Sequence, residues 1–202
     1  MNREIIAILR GVTPGEVLEI GQALVEAGIT RIEVPLNSPE PLRSVEALAG
    51  ALSGAAQIGA GTVLRPEDVD AVHAAGGSLI VSPDCNPEVI ARTKALGMAS
   101  FPGVMTPTEC FTALRHGADG LKLFPGSLIG IAGLKAIRAV LPPEARTYAV
   151  GGVGSENFAE WFAAGATGFG IGTALYKPGF TAAEVAARAA EIVSAYDAAV
   201  AA

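Results

Sequence analysis

Two cysteines, two histidines and one tryptophan are all that this 202-residue chain contains of those residues. Cys85 and Cys110 are too few for a disulfide scaffold, and no His/Asp/Glu/Cys set has metal-ligand spacing. Neither a metal nor a cofactor is therefore expected. Charge is sparse, at 17% of residues, and basic residues are the scarcer kind: 14 against 20 acidic, a net charge of -6. That balance argues against a nucleic-acid partner or an anionic membrane, both of which need clustered positive charge. It is compatible with a small anionic ligand, which a few local donors can hold. No apolar run reaches the ~18 residues of a membrane span. The opening residues MNREII lack a basic region followed by a long apolar stretch, so no secretory signal is read there. What is abundant is hydrophobic residues, half of the chain, enough for one sizeable core. One cytoplasmic domain over residues 1–202 is expected.

The punctuation is regular. Helix-start signals recur at Thr13-Pro14-Gly15-Glu16, Ser38-Pro39-Glu40, Arg65-Pro66-Glu67, Asn86-Pro87-Glu88 and Thr106-Pro107-Thr108-Glu109, then at Ser155-Glu156 and Thr181-Ala182-Ala183-Glu184. Most combine a capping side chain, a proline whose missing N–H no helix would satisfy there, and an acid at the positive end of the helix dipole. Helix stops fall at Gly28, Gly76, Gly97, Gly117 and Gly165. The two long gaps leave room for further helices ending near Gly54 and Pro142, which gives a period close to 24 residues. Between stops and starts lie short runs: 5–10, 32–35, 57–62, 79–83, 100–103, 121–124, 147–150 and 168–172. Most are apolar on both faces, as covered parallel strands are. Eight strands alternating with eight helices predict an α/β fold, a compact (β/α)8 TIM barrel. An open doubly wound sheet is the competing architecture.

In such a barrel the reactive groups come from the C-terminal ends of strands. Strand alternation puts Leu121 and Leu123 against the helices and turns Lys122 and Phe124 inward. A buried lysine is costly unless its charge is paired or its pKa falls, and a depressed pKa suits an amine that attacks a ketone. The plainer alternative is a structural lysine paired with an inward acid. Glu33 is such an acid, because Ile32 and Val34 take the outer face. It suits proton transfer in both directions, or it simply neutralises Lys122 or Arg10. Arg10 closes the first strand, where a guanidinium suits bidentate binding of a carboxylate or is merely solvated. Thr62 closes Gly59-Ala60-Gly61-Thr62 with a hydroxyl expected to face inward.

Two late glycine clusters, Val150-Gly151-Gly152-Val153-Gly154 and Gly168-Phe169-Gly170-Ile171-Gly172-Thr173, end the seventh and eighth predicted strands. Backbone N–H groups there suit a phosphate, although tight strand–helix packing alone would also use glycine. The Gly-x-Gly-x-Gly spacing is not a dinucleotide motif, since no acid-terminated βαβ unit follows it. His73 and His116 read as ordinary helix-end histidines. Lys94, Lys135 and Lys177 read as solvated charges, Trp161 and Phe162 as the buried stripe of a helix, and Cys85 as a thiol without an activating histidine.

Taken in order, Ile6-Ala7-Ile8-Leu9-Arg10-Gly11, Glu33-Val34-Pro35-Leu36-Asn37-Ser38-Pro39, Gly59-Ala60-Gly61-Thr62-Val63-Leu64, Leu121-Lys122-Leu123-Phe124-Pro125 and Gly170-Ile171-Gly172-Thr173-Ala174-Leu175-Tyr176 carry a resemblance along essentially the whole chain. It resembles the 2-keto-3-deoxy-6-phosphosugar (KDPG/KHG) aldolases, the class I family that includes 4-hydroxy-2-oxoglutarate aldolase. The resemblance implies a Schiff base on Lys122 and acid/base work by Glu33. It places Arg10 and Thr62 at the keto-acid end and Gly151, Gly152 and Thr173 at the phosphate, with Phe124, Val150 and Gly172 also lining the substrate site. It also implies a homotrimer, and no metal. Many relatives have serine where this chain has Thr173.

Two departures, Asn37 in place of an arginine and Val150 in place of a threonine, resemble the branch that cleaves 2-dehydro-3-deoxy-6-phosphogalactonate (KDPGal) to pyruvate and D-glyceraldehyde 3-phosphate in galactonate catabolism. Arg10 would then anchor the carboxylate, and Val150 would remove a hydroxyl that favours one configuration at C4. The alternatives are the gluconate epimer or 4-hydroxy-2-oxoglutarate as substrate, a phosphate-binding isomerase or epimerase, and a barrel that only binds sugar phosphates.

Overall fold

The computed structural model describes residues 3–201. In chain order it runs β1 (Ile5–Ile8), α1 (Val17–Glu26), β2 (Arg31–Pro35), α2 (Pro41–Leu52), β3 (Gln57–Gly61), α3 (Pro66–Ala74), β4 (Leu79–Val81) and α4 (Pro87–Ala95). There follow β5 (Ala99–Phe101), β6 (Gly103–Val104), α5 (Pro107–Arg115), β7 (Leu121–Leu123), α6 (Gly126–Arg138), β8 (Thr147–Val150), α7 (Phe158–Ala163), β9 (Gly168–Ile171) and α8 (Ala182–Ala201). All pairings are parallel, in the order β5-β4-β3-β2-β1-β9-β8-β7-β6.

The two ends of that order, β5 and β6, are separated only by Pro102, so the sheet closes into the expected barrel. The single strand expected over 100–103 is thus split. Proline has no N–H to give to a ladder, but its carbonyl accepts from Lys122 N–H at 2.9 Å. β5 continues the sheet from β4, β6 passes it on to β7, and the proline sits at the seam.

The caps explain where the helices begin. Asn86 accepts from Glu88 N–H at 3.0 Å. Thr106 and Glu109 form a capping box, and Thr181 and Glu184 cap each other in the same way. Three starts shift. The Thr13–Glu16 segment forms a turn before Val17, Glu40 takes a left-handed φ of 41° before Pro41, and Asn157 rather than Ser155 precedes α7. The two helices inferred from the long gaps are present, ending at Leu52 and Arg138.

Strand alternation sorts the core into two layers. Ile5, Ala7, Ile32, Val34, Leu121, Leu123 and Phe169 join the large cluster between sheet and helices, while Ile6, Leu79, Val81, Phe101 and Tyr148 form a separate cluster inside the barrel. Phe101 and Tyr148 meet edge to face, 5.1 Å apart. Below them Glu4 plugs the N-terminal mouth. It accepts from Tyr148 OH at 2.8 Å and is flanked by Arg31 and Arg146. With the bottom filled by an aromatic layer and an ion cluster, the open end of the barrel is the C-terminal one. Among the described residues, no helix is long and apolar enough to cross a membrane.

Candidate active site

In an eight-position barrel the strand carrying Lys122 lies four positions from the strand carrying Glu33, which sets the two side chains facing each other across the interior. Both are buried, with relative exposures of 6% and 2%. Space for the carboxylate comes from β3, since a Cβ at Gly61 would collide with Glu33. Among the described residues no hydrogen bond reaches Glu33 Oε2. A buried carboxylate oxygen left without a donor costs roughly 1–3 kcal/mol or more. Such an expense is characteristic of sites where a substrate or a water completes the arrangement.

The electrostatics run against each group's ordinary charge. Burial pushes the Glu33 carboxyl up to about 7, against the opposing pull of Lys122 and Arg10. Burial also lowers the Lys122 ammonium, with Glu33 working the other way and Arg10 adding to the lowering. Lys122 Nζ sits 4.7 Å from the centre of the Phe124 ring, which shields the amine on one side. The interior above the Phe101–Tyr148 layer is otherwise walled by Ile6, Ile8, Val81, Val150 and Gly170. An amine whose pKa burial lowers and a carboxyl that titrates near neutrality, facing each other in a largely apolar chamber, can form an imine with a carbonyl compound and move protons around it.

The rim supplies polar groups. Arg10 lies just beyond β1 and is exposed, and its Nη1 donates to Asn37 Oδ1 at 2.5 Å. One residue further on each loop, Gly11 N–H donates to Ser38 Oγ at 2.9 Å. Thr62 lies just beyond β3 and is half-buried, at a left-handed φ of 58°. A β-branched residue is strained there, and such strain gathers at functional sites. Sequence periodicity carries no sign of it. Gly151 and Gly152, past β8, have φ of 90° and 74° and are exposed. Gly172 and Thr173, past β9, line a rim cavity together with Ile8, Arg10, Gly11, Tyr176, Lys177 and Pro178.

The structure therefore gathers all ten predicted site residues at or inside one end of the barrel. It also brings in Lys177, which the sequence pattern read only as a solvated charge. Its place next to a glycine-ended strand was the available signal. Lys94 differs from expectation too, since its Nζ pairs with Asp119 at 2.6 Å. Cys85 Sγ contacts the Glu109 carbonyl at 3.3 Å, and burial raises its thiol pKa, which makes it a poor nucleophile. Among the described residues no cluster of His, Cys, Asp and Glu is arranged to hold a metal.

Comparison with known proteins adds to this geometry. The family described as KDPG and KHG aldolase matches residues 1–192. The 2-dehydro-3-deoxy-6-phosphogalactonate aldolase of Escherichia coli (strain K12) is 48% identical over 192 residues, covering 95% of this chain and 94% of that protein. The 2-dehydro-3-deoxy-phosphogluconate aldolase of Pseudomonas aeruginosa is 34% identical over 149 residues, covering 73% and 67%. A solved structure described as native KDPGal superposes with a TM-score of 0.98 at 46% identity, covering 100% of this chain and 98% of that one.

Proposed function

The chain belongs to the KDPG and KHG aldolase family, carbon–carbon lyases, and from that premise we propose that it cleaves 2-dehydro-3-deoxy-6-phospho-D-galactonate to pyruvate and D-glyceraldehyde 3-phosphate as a class I aldolase. The observation that carries the reading is the buried, opposed pair of Lys122 and Glu33, with burial lowering the pKa of the amine and raising that of the carboxyl. The galactonate substrate is favoured over its gluconate epimer by the 48% identity to the galactonate aldolase against 34% to the gluconate one. Asn37 and Val150 support the same branch.

Neutral Lys122 attacks C2 of the keto acid, and loss of water leaves a protonated imine. Glu33, directly or through a water, takes the C4 hydroxyl proton. The C3–C4 bond breaks toward the imine, releasing the aldehyde and leaving an enamine on Lys122. Protonation at C3 and hydrolysis then yield pyruvate and free Lys122. Arg10 and Thr62 hold the keto-acid end, Phe124 and Val150 wall the chamber, and Gly151, Gly152, Gly172 and Thr173 receive the phosphate. Preorganised donors at both ends hold the scissile bond between amine and carboxylate.

We assign the working assembly to a cytoplasmic homotrimer. Met105, Leu128 and Val140 are exposed around α5 and α6, which supports a second copy covering that face, and sedimentation at working concentration checks it. Borohydride reduction with pyruvate tests the chemistry. The expected result is one stable adduct, mapped to Lys122 and absent in Lys122→Met. Turnover of the sugar acid without any adduct would replace the imine with the acid/base chemistry of an isomerase or epimerase.

A further inference from the structure

Fourteen residues carry basic side chains, and almost all are committed within the protein. Seven hold a carboxylate. Arg138 and Arg188 donate to backbone carbonyls, Arg115 lies over the Phe111 ring, and Lys122 is buried opposite Glu33. Arg10 is bonded to Asn37 and pulls on the buried Glu33 carboxyl, which among the described residues leaves Lys135 and Lys177 without an acid. Lys135 faces solvent on α6. Arg10 and Lys177 line the same rim cavity, of about 240 Å³. On a chain of net charge -6, a rim lysine with no carboxylate partner among the described residues, beside Gly172 and Thr173, is a poor arrangement for the empty protein and a good one for an anion.

The loop bearing Lys177 is held in place from several sides. Tyr176 OH donates to Glu16 Oε1 at 3.0 Å, and Thr13 N–H shares that oxygen. The N–H groups of Leu175 and Tyr176 both close on the Gly172 carbonyl, and Phe180 N–H closes on the carbonyl of Lys177 itself. Pro178 packs so tightly on the backbone after β1 that a Cβ at Gly11 would meet its Cγ at 2.7 Å. The Lys177 ammonium accordingly starts from a fixed backbone beside Gly172 and Thr173, which lowers the cost of ordering it on a ligand.

We propose that Lys177 binds the terminal phosphate of the substrate and gives the site its preference for phosphorylated over free sugar acids. The proposal rests on the aldolase reading above. The substrate's own geometry selects the phosphate. Its carboxylate is bonded to the carbon that Lys122 attacks, deep between the strands, whereas the phosphate is at the far end of the carbon chain, toward the rim. A lysine there acts as a mobile point charge on the phosphate oxygens, beside backbone donors that fix their direction.

The test uses Lys177→Met, Lys177→Arg and, as a charge-matched control, Lys135→Met. Lys177→Met is expected to raise KM for the phosphorylated sugar acid about tenfold, the typical effect of one charge-assisted contact. The half-saturating pyruvate concentration in borohydride trapping should stay unchanged, since pyruvate has the carboxylate but no phosphate. Lys177→Arg should restore most of the loss, and Lys135→Met should match wild type. A weaker pyruvate half-saturation in Lys177→Met, or an unchanged KM, overturns the proposal. Inorganic phosphate decides it independently of the substrate. Thermal stabilisation by phosphate should be clear in wild type and much reduced in Lys177→Met, and equal stabilisation of both overturns the assignment. Failure of wild type to cleave either epimer would reject the substrate reading while leaving this phosphate titration decisive.

Discussion

Glu33 shows how much one side chain can be asked to tolerate. Its carboxyl is raised from the ordinary 4.5 to about 7, first by burial, with Lys122 and Arg10 pulling it back. A raised folded-state value means that the protonated form is favoured on folding. Its stabilising contribution is therefore complete below about pH 4.5 and is lost as pH rises through about 7. Glu33→Gln keeps the shape and removes the titration. It should be more stable than wild type at pH 8, by at most about 3 kcal/mol at about 1.4 kcal/mol per pKa unit, and close to it at pH 5. Denaturation at the two pH values measures this, and equal stability differences at both would contradict the account. In activity, the ionised form takes the C4 proton, so kcat/KM should rise with pH through a group near 7 in wild type.

At the scale of elements, the loops after β1 and β2 are stapled by two hydrogen bonds, Arg10 to Asn37 and Gly11 to Ser38. The first bond involves one of the two positions by which this chain departs from the gluconate pattern: the amide of Asn37 orients the guanidinium of Arg10. An exposed hydrogen bond is worth about 0.5–1.5 kcal/mol, so Asn37→Ala should raise KM roughly 2–10-fold. The fold and thermal midpoint should be little changed. Steady-state kinetics with circular dichroism checks both, and a large loss of stability would show that the staple is structural instead.

Elements were also where the sequence was most readable. Proline after a capping residue and glycine at each stop mark helix ends by local chemistry alone, and the five stop glycines all have φ between 70° and 98°. Alternation within single strands was enough to turn Lys122 and Glu33 inward. Features made by distant residues were not legible. The break at Pro102 depends on which neighbours would need the N–H that proline lacks, the strain at Thr62 on the loop around it, and the position of Lys177 on a loop folding back over β1. No periodicity records any of these.

The whole barrel divides its labour between its ends. The C-terminal end leaves a carboxylate oxygen unpaired and strains a threonine. The N-terminal end is saturated, with Glu4 gathering Arg31, Arg146 and Tyr148. Burial raises the Glu4 carboxyl, but hydrogen bonds from Arg31 and Tyr148 outweigh it and leave the group below its ordinary value. A depressed value contributes stability that is present above about pH 4.5 and is lost as pH falls through the folded-state value. Because the cluster is partly solvated, Glu4→Gln should cost about 1–3 kcal/mol at pH 7, less than a fully buried pair. That corresponds to a few degrees in Tm per kcal/mol for a chain of this size, with little change in kcat at 25 °C. Unfolding and turnover measured on the same preparation test the division. A comparable loss of kcat without loss of stability would contradict it.

The most direct test of the central claim is pyruvate release from the two C4-epimeric 2-keto-3-deoxy-6-phosphosugar acids, assayed side by side with Lys122→Met as control. The account predicts faster cleavage of the galactonate epimer, with both activities falling to background in the variant. Preference for the gluconate epimer would contradict the reading of Asn37 and Val150, and cleavage that survives in Lys122→Met would contradict the imine itself.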